Sequence, residues 1–131
     1  MAPDETRAVA ALVRWLRQRH EAVMSREAEA LRLLDAGDTA GYRAAMREKA
    51  ALLEAMSGDA ASVLASLSGE LRGKLAFALE RFSSSARQSL SLDSVFYMSA
   101  LLYPDAHKAG EPDDLTLFID RVEREGEDFS G

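Results

Sequence analysis

LLDAGDTAGYRAAMREKAALLEAM, residues 33–56, decides how this chain folds. Gly37 sits just past an apolar periodic stretch, where a glycine accepts the positive φ that ends a helix. Asp38 follows, and an aspartate there caps the next helix. So short a turn makes the two helices antiparallel neighbours. Beyond it, Tyr42, Met46, Lys49, Leu53 and Met56 recur at spacings of 4, 3, 4 and 3. That is a coiled-coil-like seam and predicts a helix over 39–56.

Upstream, Val9, Leu12, Val13, Leu16, Val23, Ala30, Leu31 and Leu34 form one helical stripe. Ala8, Ala11, Trp15 and Ala22 widen its apolar arc, so this helix should touch two neighbours. Capped by Asp4 or Thr6, it should run to about Ala36, roughly 48 Å at the α-helical rise.

Downstream, Ser57-Gly58-Asp59 repeats the stop-and-cap signal. Val63, Leu64, Leu67, Leu71, Leu75, Ala78, Leu79 and Phe82 then carry a third helical period from near Ala60. Gly69 and Gly73 fall inside it, at about 1 kcal/mol each relative to alanine. They either allow a continuous, bent helix or mark a break with Ser68 as a new cap; the continuous helix is the expectation. Residues 82–94, FSSSARQSLSLDS, are serine-rich and weakly helical. VFYMSALLY, residues 95–103, is apolar on nearly every face and needs cover, either as a buried helix end or as a surface for a partner. Pro104 ends it. After a polar loop, Pro112 and Asp113 open a short amphipathic helix with Leu115, Phe118, Ile119 and Val122 on one face. The last residues, EGEDFSG, should fray.

The expected fold is all-α: an antiparallel three-helix bundle with long helices 1 and 3 and a short C-terminal fourth helix. Residues 1–131 form one helical-bundle domain, in which 104–131 are an acidic loop and the short helix.

Net charge is −6, and the whole acidic excess lies in residues 104–131, which hold 9 acidic and 3 basic groups. A net acidic chain argues against a general nucleic-acid binder. Arg7, Arg14, Arg17 and Arg19 surround Trp15, but acidic groups balance this half of the chain. The absence of cysteine removes disulfides and thiolate chemistry. The N-terminal stretch has no signal-peptide core, and nothing approaches the ~20 apolar residues of a bilayer span, so cytoplasmic residence and no membrane partner are expected. His20 and His107 are far apart, with no repeated Glu-x-x-His spacing, so no metal is expected; His20 reads as a partly buried or rim residue. There is no G-x-S-x-G serine and no phosphate-binding glycine loop. No catalytic residue, cofactor or enzymatic activity is therefore expected.

Lys49 interrupts the apolar seam. Folding the hairpin about Gly37 sets it near Ser25, within a turn of Glu21 and Glu27. It either pairs with one of these carboxylates and fixes the register, or lays its methylenes on the seam and carries its ammonium to water. The second is the expectation, and with it a Lys49→Leu variant more stable than the parent.

Leu33-Leu34, Gly37-Asp38, Lys49 and Leu52-Leu53 together resemble the helical hairpin of small flagellar export chaperones of the FlgN type. The resemblance covers about residues 10–103, with 71–103 matching that family's long third helix. It implies a chaperone or adaptor that binds a client's amphipathic helix through apolar positions, here Leu90, Leu92, Val95, Phe96, Met98, Leu101 and Leu102. Phe118 on the C-terminal helix adds to that surface as a displaceable cover. The physical alternative is a structural homo-oligomer pairing the same strip with itself.

Overall fold

The computed structural model describes residues 3–129. Seven α-helices follow one another, with no strand among the described residues. They are α1 (Pro3–Asp35), α2 (Thr39–Glu54), α3 (Met56–Asp59), α4 (Ala61–Leu64), α5 (Gly69–Ser91), α6 (Val95–Ala100) and α7 (Asp114–Glu125), closed by a 3-10 turn, Gly126–Asp128. The chain is all-helical as expected, but it is divided into more elements than the expected three-helix bundle with a short fourth helix.

The α1–α2 turn follows its local chemistry. Gly37 has φ +82°, and its N–H donates to the Leu34 carbonyl while that of Asp38 donates to Leu33. Those two bonds satisfy carbonyls that the helix end would otherwise orphan. The Asp38 carboxylate accepts from the Gly41 N–H at 2.8 Å, and a Cβ at Gly41 would collide with that carboxylate. Ion pairs set the register of the hairpin: Glu27 with Lys49, Arg26 with Glu48, and Arg19 with Asp59. From Arg19 with Asp59 to Glu27 with Lys49 the α1 partner advances along the chain while the other steps back, so α1 and the α2–α3 run are antiparallel.

The expected break and the expected continuity exchange places. Ser57-Gly58-Asp59 does not stop the chain, because Ala55, Ala60 and Ala65 keep right-handed helical backbone. The ladder is interrupted by a side chain instead. Ser83 of α5 is fully buried; its hydroxyl donates to the Leu53 carbonyl (2.9 Å) and accepts from the Ser57 N–H (3.0 Å). It stands where an i to i−4 bond between those two groups would lie, a recognised cause of a helix kink. The real stop is at Ser68, which is extended (ψ 156°) and whose N–H donates to the Glu5 carboxylate. The continuous helix expected through Gly69 is therefore replaced by a new helix starting there. That helix runs unbroken through Gly73 and the serines to Ser91.

The serine-rich stretch is helical because its small residues face inward. Ser83, Ala86 and Ser89 are buried along α5, which packs on α2. Ser83→Ala should cost about 1–2 kcal/mol, since it leaves the Leu53 and Ser57 backbone groups without their shared partner. Urea unfolding would read this as a lowered midpoint at unchanged slope.

The main core joins α1, α3, α4, α5 and α7 around Leu12, Leu16, Leu75, Leu79, Leu115 and Ile119. As the wide arc required, α1 packs on α2 and also on α7. A second cluster, Ala30, Ala45, Met46, Ala50 and Met98, seats α6 near the hairpin turn. The C-terminal segment does not fray at Phe129, which is only 1% exposed. Its ring meets Phe118 edge-on at 5.6 Å and lies under the Arg121 guanidinium at 4.6 Å. Ser130 and Gly131, the rest of that expectation, lie outside the described residues.

Candidate functional site

The feature most able to serve a function is an open slot between α5 and α7. α5 rests on α2 and α7 rests on α1, yet α5 and α7 make little contact with each other. From α5, Ala78, Arg81, Phe82 and Ser85 face the slot. From α7, Asp114, Leu117, Phe118 and Arg121 face it. Both sets follow the i, i+3, i+4, i+7 spacing by which a helix presents one side to a neighbour. Leu53, Leu101 and Leu102 supply apolar floor, and a Phe82–Phe118 edge contact at 5.6 Å bridges the two helices at the base.

This half holds about 410 Å3. It continues past Ser85, Leu101, Leu102 and Asp114 into a second open half of about 470 Å3, rimmed by Gln88, Leu92 and Tyr97. Open, elongated and apolar-floored, the slot has the form that receives a helix face; small-molecule sites bury most of their ligand.

The floor is held by a buried polar network. Lys49 is 0% exposed. Its ammonium donates to the carbonyls of Ser99 (3.2 Å) and Leu101 (3.1 Å) and pairs with Glu27 Oε2 at 2.8 Å. Two hydrogen bonds and one ion pair thus engage the buried ammonium. The Tyr103 ring lies 5.2 Å from the ammonium, and its hydroxyl donates to Glu27 Oε1 at 2.7 Å. Burial pushes the Lys49 amine down from its ordinary pKa against the opposing pull of Glu27 and Asp113. Burial, then Glu27, pushes the Tyr103 phenol up. The expectation that Lys49 reaches water is overturned: a carboxylate and two carbonyls at the end of α6 receive it inside the protein.

Leu102 has φ +78°, a costly conformation for a bulky side chain. Its carbonyl accepts from the Asp114 N–H at 3.0 Å, while the preceding carbonyl accepts from Lys49. The strained strap at residues 101–103 is therefore tied at once to α2, α1 and α7.

α7 is fixed to α1 by a second polar cluster. His20 Nε2 lies 2.8 Å from Asp113 Oδ2 and 3.1 Å from Thr116 Oγ1. Asp113 also caps α7, accepting from the N–H groups of Leu115 and Thr116. Burial raises the Asp113 carboxyl, but the bonds from His20 and Thr116 outweigh it and hold the group below its usual range. The hydroxyl and the carboxylate converge on one imidazole nitrogen, whereas a nucleophilic triad needs them on opposite nitrogens. His20 is thus the partly buried residue expected. Among the described residues, no group of three or more His, Cys, Asp or Glu side chains could hold a metal.

The structure divides the expected partner-binding residues. Leu92, Leu101, Leu102 and Phe118 line the slot. Leu90, Val95 and Met98 face the second core cluster instead. Phe96 is 71% exposed on the outward side of α6, outside both halves. Sequence reasoning missed Ala78, Arg81, Phe82, Ser85 and Leu117. Ala78 and Phe82 stood in the expected third helical stripe, and the available signal was the continuation of that spacing through Ser85 into the serine-rich stretch. Arg17 and Arg19, two of the arginines around Trp15, pair with Glu123 and Asp59 respectively.

No helix is long and apolar enough to cross a membrane among the described residues. The fold and site define an all-helical protein with an open, apolar-floored slot. No family model, curated protein or solved structure matches this chain.

Proposed function

We propose that this protein is a non-enzymatic interaction module that receives an amphipathic helix of another protein in the α5–α7 slot, as an export chaperone or adaptor does. The vacant position between two helices that both present helical-spaced side chains carries the proposal. In this view α1, the α2–α4 run and α5 act as an antiparallel three-helix frame, and α7 forms the fourth wall. The resemblance to FlgN-type chaperones points the same way, with Leu92, Leu101, Leu102 and Phe118 as the client-facing residues. Residence in the cytoplasm belongs to the same proposal.

Self-association through α6 is the second reading, supported by the exposed Phe96–Tyr97 ring pair. One pair of variants separates them. With the slot as docking site, Leu117→Asp abolishes partner binding and Phe96→Asp leaves it intact. A photo-crosslinker at Leu117 then yields adducts with an amphipathic segment of another protein, while one at Phe77, exposed on α5 outside the slot, does not. A concentration-dependent dimer in light scattering, lost in Phe96→Asp and kept in Leu117→Asp, would establish self-association instead.

A further inference from the structure

Resting on the slot as the docking site, we infer that its occupant is a helix of mixed charge, with a basic residue and an acidic residue seven positions apart flanking an apolar stripe. The slot is polarised along its length. At one end Arg81 and Arg121 face it together. Arg121 shares its charge with Glu125, but among the described residues Arg81 has no ion-pair partner. Its helical neighbours at three and four positions, Phe77, Ala78, Ser84 and Ser85, are uncharged.

Where the two halves join, Asp114 faces the slot. Its carboxyl is half-buried, and no ion pair engages it among the described residues. Asp114 and Arg121 are seven positions apart on α7, about 10 Å along the axis. A helix lying beside α7 meets the same two points at its own i and i+7 positions, with its i+3 and i+4 side chains over Phe82, Leu117 and Phe118. A cation opposite Asp114 and a carboxylate opposite Arg81 match each charge with its opposite. A uniformly charged helix meets repulsion at one of the two points.

Three synthetic helical peptides of about 18 residues test this. They share one leucine stripe and differ at the two flanking positions: lysine with glutamate, lysine at both, or glutamate at both. Binding to the full chain is read by fluorescence anisotropy. The mixed peptide should bind about fivefold tighter than either uniform one, and the gap should narrow as salt rises from about 0.05 to 0.5 M. Arg81→Glu should shift the preference to the lysine-only peptide, and Asp114→Asn should erase the penalty of the glutamate-only peptide. Circular dichroism confirms that each variant is folded. Equal binding of all three peptides, lost in Leu117→Asp, would overturn the charge signature and leave the slot standing. No binding of any peptide to the folded wild type would overturn both.

Discussion

Lys49→Met should destabilise the protein by about 3–5 kcal/mol, a large share of the roughly 5–15 kcal/mol that holds an ordinary domain together. Methionine matches the volume but carries no donor. Its thioether leaves the Ser99 and Leu101 carbonyls without the ammonium they accept from, and leaves Glu27 inside with only the Tyr103 hydroxyl. The cost comes from these abandoned partners more than from the lost attraction, because a buried ion pair gains little over an apolar replacement of both members. Adding Glu27→Gln should therefore recover part of the loss, since a neutral amide can still accept from Tyr103. A double-mutant cycle in urea would expose that coupling. A stabilised Lys49→Met or Lys49→Leu protein would mean that the ammonium reaches water in solution. Because Lys49 holds the Leu101 carbonyl, the same variant should also loosen the slot floor.

Phe129→Ala should cost about 3 kcal/mol, the usual loss for an aromatic side chain removed from a packed site. Phe129 ends a chain of edge-on rings running Phe82, Phe118, Phe129, capped by Arg121. The alanine variant empties the ring's place beside α7 and frees Arg121 from its stacking partner. A stop codon replacing Phe129 should reproduce the effect. A fold unchanged within about 0.5 kcal/mol in both variants would return the C-terminus to the frayed end that its composition suggested.

The legible parts of the sequence were those where local chemistry decides. Gly37 and Asp38 end one helix and start the next through their own backbone and side chain, with no distant help. The apolar faces of α1 and α7 appear as periodicity because each buries one side.

Where distant residues decide, local signals misled. Ser57-Gly58 and Ser68-Gly69 look alike in sequence, yet only the second stops a helix. At the first, Ser83 from another helix fills the gap in the ladder; at the second, Glu5 takes the Ser68 N–H. Lys49 was ambiguous because a lysine on an apolar seam is buried only if acceptors are waiting, and two of its three are main-chain carbonyls some fifty residues away. Four of the eight expected partner-binding residues line the slot and four do not, for a similar reason. VFYMSALLY is apolar all round, so its sequence cannot say that Val95 and Met98 turn inward while Phe96 and Tyr97 turn out.

In the proposed reading, α5 and α7 flank a vacancy that receives a helix. Amide NMR of the labelled protein, titrated with the mixed-charge peptide, tests it most directly. Shifts concentrated at Ala78, Phe82, Ser85, Leu101, Leu102 and Leu117 are the predicted result. Shifts centred on Phe96, with those six unmoved, would contradict it.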